Sequence, residues 1–404
     1  MTQSNVLKLY GEYPHLTFRR DWRLFDDSQK ESSLFLLGQC DALVKAIRNT
    51  PIMPQHFKHL LYVALRKGAQ ATTAIEGNTL SDIEVDKVIN NEKLPPSKEY
   101  QEIEVRNVID ALNEISKEVI IENKVQLINP DLLKRFHRFI GKNLGEHLDA
   151  IPGKFRERYV SVGNYRCPDY RDVLPLLNKF CDWIKHEFHF GKQKQSFSEV
   201  VIQAIVSHIY IEWIHPFSDG NGRTGRLVEF YILLRGNNPM IASHILSNHY
   251  NQTRTEYYRQ IEKATKTRDL TEFINYALLG FRDGLMQTLE LIQHSQFASS
   301  WQKLIYDKFD DVKMVKKDVF KRRRSLALEF PLDRGVELRE IPELTIKLAK
   351  LYSKMSERTI LRDLDELLEL QLIYKESGFY FSNTSLIRQM ISLSRDSLII
   401  NNEN

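Results

Sequence analysis

Apolar residues recur at helical spacing along almost the whole of this 404-residue chain, and that periodicity predicts a mainly α-helical fold. The clearest stretch runs from Phe57 to Ile75, and a helix is predicted over about 57–78. Gly77 and Asn78 are expected to close it, because both residue types tolerate the left-handed backbone in which many helices end. Further helices are predicted near residues 98–121, 130–143, 172–188 and 196–213.

One segment, residues 153–168, departs from the helical pattern. It sets Tyr159, Val160, Val162 and Tyr165 among glycines and a proline, which predicts a short β-hairpin. An isolated hairpin in a helical chain can build little core. We therefore expect a flap over a site, with a plain connecting loop as the alternative.

The composition is that of an ordinary soluble globular protein, with 42% hydrophobic and 27% charged residues. A chain of this length is expected to form roughly two or three domains. It has no apolar run of the roughly 18 residues that suggest a membrane span, and its first residues do not resemble a secretory signal. The few cysteines lack metal-type spacing, so free thiols and a cytoplasmic location are expected; they are Cys40, Cys167 and Cys181.

The chain changes character towards its C-terminal end. A long amphipathic stretch from about Asp283 to Lys321 is predicted to link two domains. After Pro331 the predicted order is a helix, a short turn at Ser353–Ser356, a second helix, and two short strands around residues 376–378. This order is typical of a winged helix-turn-helix domain.

The charges leave the partner of this C-terminal module open. A net charge of +4 does not by itself indicate a nucleic-acid partner, and the basic run at 316–324 is interpreted as a solvated helix face. In the second helix, Arg358 and Arg362 would face a groove. The same helix carries acidic residues that would repel phosphates, namely Asp363, Asp365, Glu366 and Glu369. DNA binding and protein binding therefore remain alternatives.

The chemistry is concentrated in the segment HPFSDGNGRTGR at residues 215–226. His215 is the one side chain in it that can take a proton near neutral pH. Asp219 is a hard oxygen ligand of the kind that Mg²⁺ uses together with substrate phosphates. The Gly220-Asn221-Gly222 turn exposes backbone N–H groups and lets a phosphate approach closely.

An apolar helix is predicted to follow this turn directly. Its N-terminus would direct free N–H groups and a positive dipole end at the phosphate. Arg223 and Arg226 are neighbours on the first helical turn and can fork onto further phosphate oxygens. The segment therefore predicts a site that sets a base, a metal ligand and two arginines around a triphosphate.

This segment matches every fixed position of the Fic family signature, His-x-Phe-x-(Asp/Glu)-Gly-Asn-Gly-Arg-x-x-Arg, and the chain resembles that family over roughly residues 10–280. ATTAIEGNTL at 71–80 resembles the inhibitory helix of the family, with Thr72, Glu76 and Gly77 at its fixed positions. The hairpin is similar to the family's target-ordering flap. Glu256-Tyr257-Tyr258 resembles a stretch that lines the adenine pocket.

The resemblance implies a reaction in which AMP passes from ATP to a Ser, Thr or Tyr hydroxyl of a protein, with release of pyrophosphate. His215 would be the general base, and Asp219 would hold Mg²⁺. The α-phosphate would be held by the backbone of 220–222 and the Asn221 side chain. The implied nucleotide-binding residues are Glu76, Val162, Gly163, Asn164, Tyr165, Gly220, Asn221, Gly222, Arg223, Thr224, Gly225, Arg226, Tyr257 and Tyr258.

Individual roles also follow from the resemblance. Arg223 would meet the β-phosphate and Arg226 the γ-phosphate, while Phe217 would anchor the loop. In the family the inhibitory glutamate pairs with the second motif arginine, here Glu76 with Arg226. A carboxylate in that position blocks the γ-phosphate, so ATP would bind misaligned for in-line attack. A helix end without a regulatory role is the alternative for Glu76.

These patterns together predict a mainly α fold with a Fic-type helical core, a small β-hairpin flap and a C-terminal winged helix. The predicted regions are 1–97 with the inhibitory helix, 98–282 as the catalytic core with flap 153–168 and motif 215–226, 283–328 as linker helices, and 329–404 as the winged-helix-like domain.

Several alternatives stay open at this stage. The donor could be UTP or CDP-choline in place of ATP, or the chain could transfer phosphate or remove AMP. A DNA-binding regulator that uses the nucleotide site only as a sensor is a further alternative. The targets are expected to include the chain itself, and a homodimer is among the possible assemblies.

Overall fold

The computed structural model describes residues 9–25, 31–188, 195–311, 316–385 and 387–388. The chain divides into two compact units, Met1–Leu289 and Glu290–Asn404. The described part is mainly helical, as the apolar periodicity predicts.

Helices dominate the first unit. In chain order they are α1 Ser33–Asn49, α2 Pro54–Ala74, α3 Asp82–Ile89, α4 Glu99–Ser116, α5 Pro130–Gly141, α6 Val173–Glu187, α7 Phe197–Ile214, α8 Asn221–Arg235, α9 Ile245–Gln252, α10 Arg254–Thr267 and α11 Thr271–Asp310, the last of which continues into the second unit. A two-residue strand β1, Ser161–Val162, pairs antiparallel with β2, Tyr165–Arg166.

Helices α7 and α8 form the centre of the first unit. Both are buried on nearly every side, and α8 also contacts α2, α4 and α5. Helix α7 is long and apolar enough to cross a membrane, but 78% of it is buried within the protein. Burial on all sides is what an apolar core helix requires.

Helix α2 belongs to this unit and does not form a separate N-terminal region. It packs against α4 and α9, so the predicted boundary between 1–97 and 98–282 does not divide the core. The helix ends at Ala74, earlier than predicted, because the chain turns through Gly77 with a φ of +103°. The Thr73 carbonyl accepts the N–H groups of Glu76 and Asn78 in this turn.

The second unit contains α12 Lys317–Glu329, α13 Ile346–Tyr352 and α14 Glu357–Glu369, followed by the antiparallel strands β3 Ile373–Glu376 and β4 Phe379–Ser382. This is the predicted element order, and the winged-helix assignment itself stays a prediction. The stretch 283–328 is not a bare linker, because it supplies apolar side chains to the core of this unit. These are Phe297, Trp301, Ile305, Phe309, Leu326 and Ala327.

The basic run at 316–324 is only partly the solvated face that the sequence suggests. Its lysines are exposed, but Arg322 and Arg323 bind Asp363 on α14, at 2.6 and 3.0 Å. Asp363 is buried and also accepts a 3.0 Å hydrogen bond from the Tyr352 hydroxyl. The sequence analysis counted Asp363 among the acidic residues that would repel phosphates, whereas its partners on α12 and α13 hold it in the core.

Asp363→Asn should destabilise the second unit by about 3 kcal/mol, because it removes the charge that Arg322 and Arg323 share in a largely buried setting. Urea unfolding followed by hydrogen exchange of residues 346–382 measures this effect. Asp365→Asn is the matched control, since Asp365 is exposed on the same helix. Equal stability of the two variants would contradict a structural role for the cluster.

Candidate active site

His215 occupies the position where α7 ends. It adopts a left-handed backbone with a φ of +51°, and its N–H bonds to the Ile211 carbonyl as the helix cap. Its Nδ1 lies 3.3 Å from the Glu212 carbonyl oxygen. A proton on Nδ1, shared with that carbonyl, leaves the Nε2 lone pair free to accept another proton.

The electrostatic setting of His215 keeps its imidazole neutral. Burial lowers its pKa to about 4. The charge of Arg156 also lowers the pKa, whereas the hydrogen bond to the Glu212 carbonyl raises it. An imidazole with a lowered pKa is unprotonated at neutral pH, which is the form that a general base requires.

Arg156 ties the hairpin segment to the catalytic loop. Its buried guanidinium donates from Nε to the His215 carbonyl at 2.7 Å and from Nη2 to the Pro168 carbonyl at 2.5 Å. Its backbone N–H bonds to the Pro216 carbonyl as well. Nothing in the sequence singled out this residue, because its partners are backbone oxygens that no motif encodes.

Asn221 and Phe217 stabilise the conformation of the loop between α7 and α8. The Asn221 amide accepts the Phe217 N–H and donates to the Phe217 carbonyl, both at 2.9 Å. Phe217 is fully buried and stacks on His137 at a centroid distance of 3.8 Å. The anchoring role predicted for Phe217 agrees with this burial. The contact of the Asn221 side chain with the α-phosphate stays a prediction, since the amide keeps one N–H beyond those bonds to the loop backbone.

His137 on α5 is a second residue that the sequence did not reveal. Its Nδ1 accepts the Gly153 N–H at 2.8 Å, so the proton lies on Nε2, which is 2.9 Å from the Asp219 carbonyl. Burial lowers its pKa to about 4, which fits this neutral form. His137 therefore joins the hairpin segment to the loop that carries Asp219.

The first turn of α8 forms an anion cradle. Gly220 precedes it with a φ of +79°, and the leading N–H groups of a helix have no partner within it. Thr224 gives both its N–H and its hydroxyl to the Gly220 carbonyl, at 3.0 and 2.8 Å. A Cβ at Gly225 would lie 3.0 Å from His208. Thr224 and Gly225 thus both have packing roles in the helix, and their contact with a nucleotide stays a prediction.

Arg223 is held by two carboxylates. It pairs with Glu104 of α4 at 2.5 Å and with Asp219 at 3.2 Å, and only 4% of its side chain is exposed. Asn78 supports Glu104 through a 3.0 Å hydrogen bond. Glu104 was not predicted as part of the site, since it lies 119 residues from Arg223 in the chain.

Asp219 retains a carboxylate oxygen that a cation could use. Its Oδ1 takes the Gly220 N–H and Arg223, while Oδ2 receives only a 3.3 Å bond from the Asp149 N–H. Within the described ranges, no three His, Cys, Asp or Glu side chains gather as a metal site built from protein alone would need. Asp219 thus fits the way Mg²⁺ is usually held, by one or two carboxylates together with substrate phosphates.

Glu76 and Arg226 form an ion pair between α8 and the turn after α2. The Nη2 atom of Arg226 lies 2.6 Å from Glu76 Oε1 and 2.9 Å from the Thr72 carbonyl. Burial alone would raise the pKa of Glu76, but the charge and hydrogen bond of Arg226 hold it below its usual value. Glu76 is therefore ionised at neutral pH, and Thr72 contributes through its backbone.

Gly222 makes room for this pair. A Cβ at Gly222 would clash with Glu76 Oε1 and lie 2.9 Å from Arg226 Nη1. Gly77 adds the positive φ that turns Glu76 towards α8. The predicted inhibitory residues and the motif thus meet in one place.

A cavity of about 500 Å³ lies between the hairpin and α10. Its walls include Val162, Gly163, Asn164, Tyr165, Glu212, Trp213, Tyr258, Ile261, Glu262, Thr265 and Lys266. Tyr258 is 44% exposed and lies in this wall, and its place in an adenine pocket stays a prediction. Tyr257 was also predicted to line the pocket, but it is buried with its hydroxyl 2.8 Å from His208 Nε2. Adjacent residues of a helix face different sides, which accounts for the different settings of the two tyrosines.

Residues 127–233 match the model of the Fic/DOC family. The chain carries a Fic domain. This match spans α5 to α8 except for the last two residues of α8, with the hairpin and the motif between them, whereas Glu76 and Tyr258 lie outside it.

Curated relatives of this Fic domain are named protein adenylyltransferases. The chain is 28% identical to protein adenylyltransferase fic-1 of Caenorhabditis briggsae over 267 residues, which cover 62% of this chain and 49% of that protein. It is 28% identical to protein adenylyltransferase Fic of Drosophila willistoni over 207 residues, 51% of this chain and 38% of that protein. The chain spans about half the length of the curated relatives it matches, or less.

Solved structures of Fic proteins share the fold. Fic-1 of C. elegans (residues 134–508) superimposes with a TM-score of 0.51 at 22% identity, over 64% of this chain and 72% of that one. A Fic family protein from Desulfovibrio desulfuricans gives a TM-score of 0.51 at 20% identity, over 89% of this chain and 98% of that one. The fold of this chain is therefore similar to that of known Fic structures.

Proposed function

We propose that this chain is a protein adenylyltransferase, which transfers AMP from ATP to a Ser, Thr or Tyr hydroxyl of a protein. The observation that supports this most is the neutral imidazole of His215, which lies just before the first turn of α8. Hydrogen bonds from Arg156 and Asn221 fix the loop between His215 and that turn. The names of the relatives support the same activity. In the reaction the hydroxyl oxygen bonds to the α-phosphorus, and the bond from that phosphorus to the bridging oxygen breaks. Pyrophosphate leaves with the electron pair.

His215 would accept the proton of the attacking hydroxyl. Its Nδ1 faces the Glu212 carbonyl, which favours the tautomer with a free Nε2 lone pair. The lowered pKa keeps that lone pair available at neutral pH. Arg156 and Asn221 restrain the loop on either side, so little ordering of the base is needed when the substrates bind.

The phosphates would be held by α8 and the residues around it. The backbone of Gly220, Asn221 and Gly222 would receive the charge that develops on the α-phosphate. Arg223 would contact the β-phosphate by exchanging a carboxylate partner for a phosphate oxygen, and Arg226 would contact the γ-phosphate. Asp219 would hold Mg²⁺ together with the phosphates; the ion would neutralise charge on the leaving group.

Glu76 would inhibit this reaction in cis. Its carboxylate pairs with the guanidinium of Arg226, which the γ-phosphate would need. Because the Arg226 side chain is almost fully buried, it cannot rotate to bind a phosphate at another position. ATP would then bind with its α-phosphate out of line for attack. The targets would be proteins with accessible hydroxyl groups, including this chain, and DNA remains a possible partner of the C-terminal module.

ATP labelled at the α-phosphate should label protein, whereas ATP labelled at the γ-phosphate should not. The Glu76→Gly variant, incubated in native lysate and analysed by mass spectrometry, would identify the target and the modified residue. UTP, GTP and CTP serve as competing donors in the same assay. Transfer of the γ-label would establish phosphotransfer instead and contradict the proposed function.

A further inference from the structure

The N-terminal segment, residues 10–18, lies in the first described range and forms neither a helix nor a strand. It is nevertheless fixed to the core of the first unit at two points. At one end, the Tyr10 N–H donates to the buried Asp172 carboxylate at 2.9 Å. At the other end, the Phe18 N–H donates to the Tyr210 hydroxyl of α7 at 3.1 Å. The residues between these two anchors are therefore held independently of β1 and β2.

His15 lies between the two anchors and contacts the hairpin. Its Nε2 atom is 2.9 Å from the hydroxyl oxygen of Tyr165 in β2, and the two rings meet edge to face. The Tyr165 hydroxyl donates its single proton to the Trp213 carbonyl at 2.7 Å. His15 must therefore be the donor in the other bond, with a proton on Nε2. Burial lowers the pKa of His15 to about 4, which agrees with a neutral ring at neutral pH.

Tyr13 holds the chain that follows β2. Its hydroxyl accepts the Asp169 N–H at 2.9 Å and donates to the Asp172 carboxylate at 2.6 Å. This is the carboxylate that also anchors the start of the N-terminal segment. The segment therefore holds the second half of the hairpin at a side chain, through His15, and at a backbone group, through Tyr13.

The hairpin has few interactions of its own to fix its position. Each strand has two residues, and both residues of β1 are exposed. A two-stranded hairpin is marginally stable at best in water unless other elements support it. Arg156 connects it to the catalytic loop, and the N-terminal segment supplies the support on the β2 side. In the described part of the chain β1 pairs with β2 alone, so its other edge can pair with an extended peptide.

We propose that His15 and Tyr13 are positioning residues, which hold the hairpin beside the catalytic loop so that β1 can pair with a segment of the protein that accepts AMP. This inference rests on the proposed function, because it concerns how the protein substrate of that reaction binds. A hairpin that is fixed in advance loses less conformational freedom on binding, so removal of the support should weaken binding of the acceptor protein. The bond from Tyr165 to Trp213 remains without His15 or Tyr13, so ATP binding should change little.

Hydrogen exchange of the amides in residues 159–167 of the full chain measures this support without any transfer of AMP. His15→Ala and Tyr13→Phe should each speed the exchange by about 5- to 10-fold, because each loses one or two hydrogen bonds. His15→Gln should restore part of the protection, since its amide N–H can replace the Nε2 donor. Glu12→Ala is the matched control, because Glu12 is exposed on the same segment, and it should exchange like the parent.

Transfer kinetics in the Glu76→Gly background then test what the support does in the reaction. The acceptor is the His215→Ala chain, enlarged by a tag so that its label separates by size from that of the enzyme. His15→Ala and Tyr13→Phe should raise the KM for this acceptor by about tenfold, because they remove binding of the protein substrate. The values of kcat and of the KM for ATP should change by less than about twofold.

The outcomes separate this inference from the proposed function. Faster exchange confined to the hairpin would support the inference even if no AMP is transferred. Exchange equal to that of the parent would overturn it, and so would faster exchange across α6 and α7 as well, which would indicate loss of fold. Transfer with an unchanged KM for the acceptor would also overturn it and leave the adenylyltransferase intact.

Discussion

Glu76→Gly should raise the rate of AMP transfer by about a hundredfold. The substitution removes the carboxylate that lies 2.6 Å from Arg226 Nη2 and leaves the guanidinium free for the γ-phosphate. Misplacement of a reacting group by about 1 Å can cost 10²-fold in rate, so restoring the in-line pose should return a factor of this size. Self-modification with α-labelled ATP, measured as an initial rate, gives the value.

Two further variants test whether the ion pair itself is responsible. Glu92→Gly removes an exposed carboxylate just after the end of α3 and should leave the rate unchanged. Glu76→Gln keeps the size of the side chain but not its charge, so it should give an intermediate rate. If Glu76→Gly is no faster than the parent, Glu76 only takes part in the turn after α2 and the proposed inhibition is wrong.

His215→Ala should lower the rate of AMP transfer by about 10²- to 10⁴-fold, the range that removal of a general base produces. The effect is measured in the Glu76→Gly background, where the starting rate is high enough. Nucleotide binding should change little, because the α8 cradle and the cavity do not depend on the imidazole.

The control for this loss is His59→Ala, because His59 is exposed on α2 and away from the motif. It should transfer AMP at the rate of the Glu76→Gly parent. Full activity of His215→Ala with ATP would contradict the role of His215 as the base. Loss of activity together with a lowered melting temperature would indicate that the cap of α7 had failed.

The sequence predicted the helices, the hairpin and the twelve-residue motif because each depends on local spacing. It also predicted that Glu76 and Arg226 meet, but through family resemblance, since 150 residues separate them. The contacts of Asn221 and Tyr257 with the nucleotide stay predictions. The Asn221 side chain bonds to the Phe217 backbone, and the Tyr257 hydroxyl bonds to His208. Residue type and spacing do not reveal either partner.

The supporting residues were missed for the same physical reason. Arg156, His137 and Glu104 act through backbone oxygens or through distant charged groups, and no periodicity or motif records such contacts. Asp363 illustrates the reverse error. It was counted among the acidic residues that would repel phosphates, whereas two arginines of another helix neutralise it in the core.

Gly222 has a consequence for how variation at this motif position should be understood. A methyl group there would clash with the Glu76 carboxylate before any nucleotide arrives. Under the proposed inhibition, an added side chain would displace the Glu76 carboxylate as well as crowd the phosphate, so loss and gain of activity would oppose each other in a single variant. If Glu76 inhibits as proposed, the space beside Gly222 holds the Glu76 carboxylate in the inhibited state and admits the nucleotide phosphates during transfer.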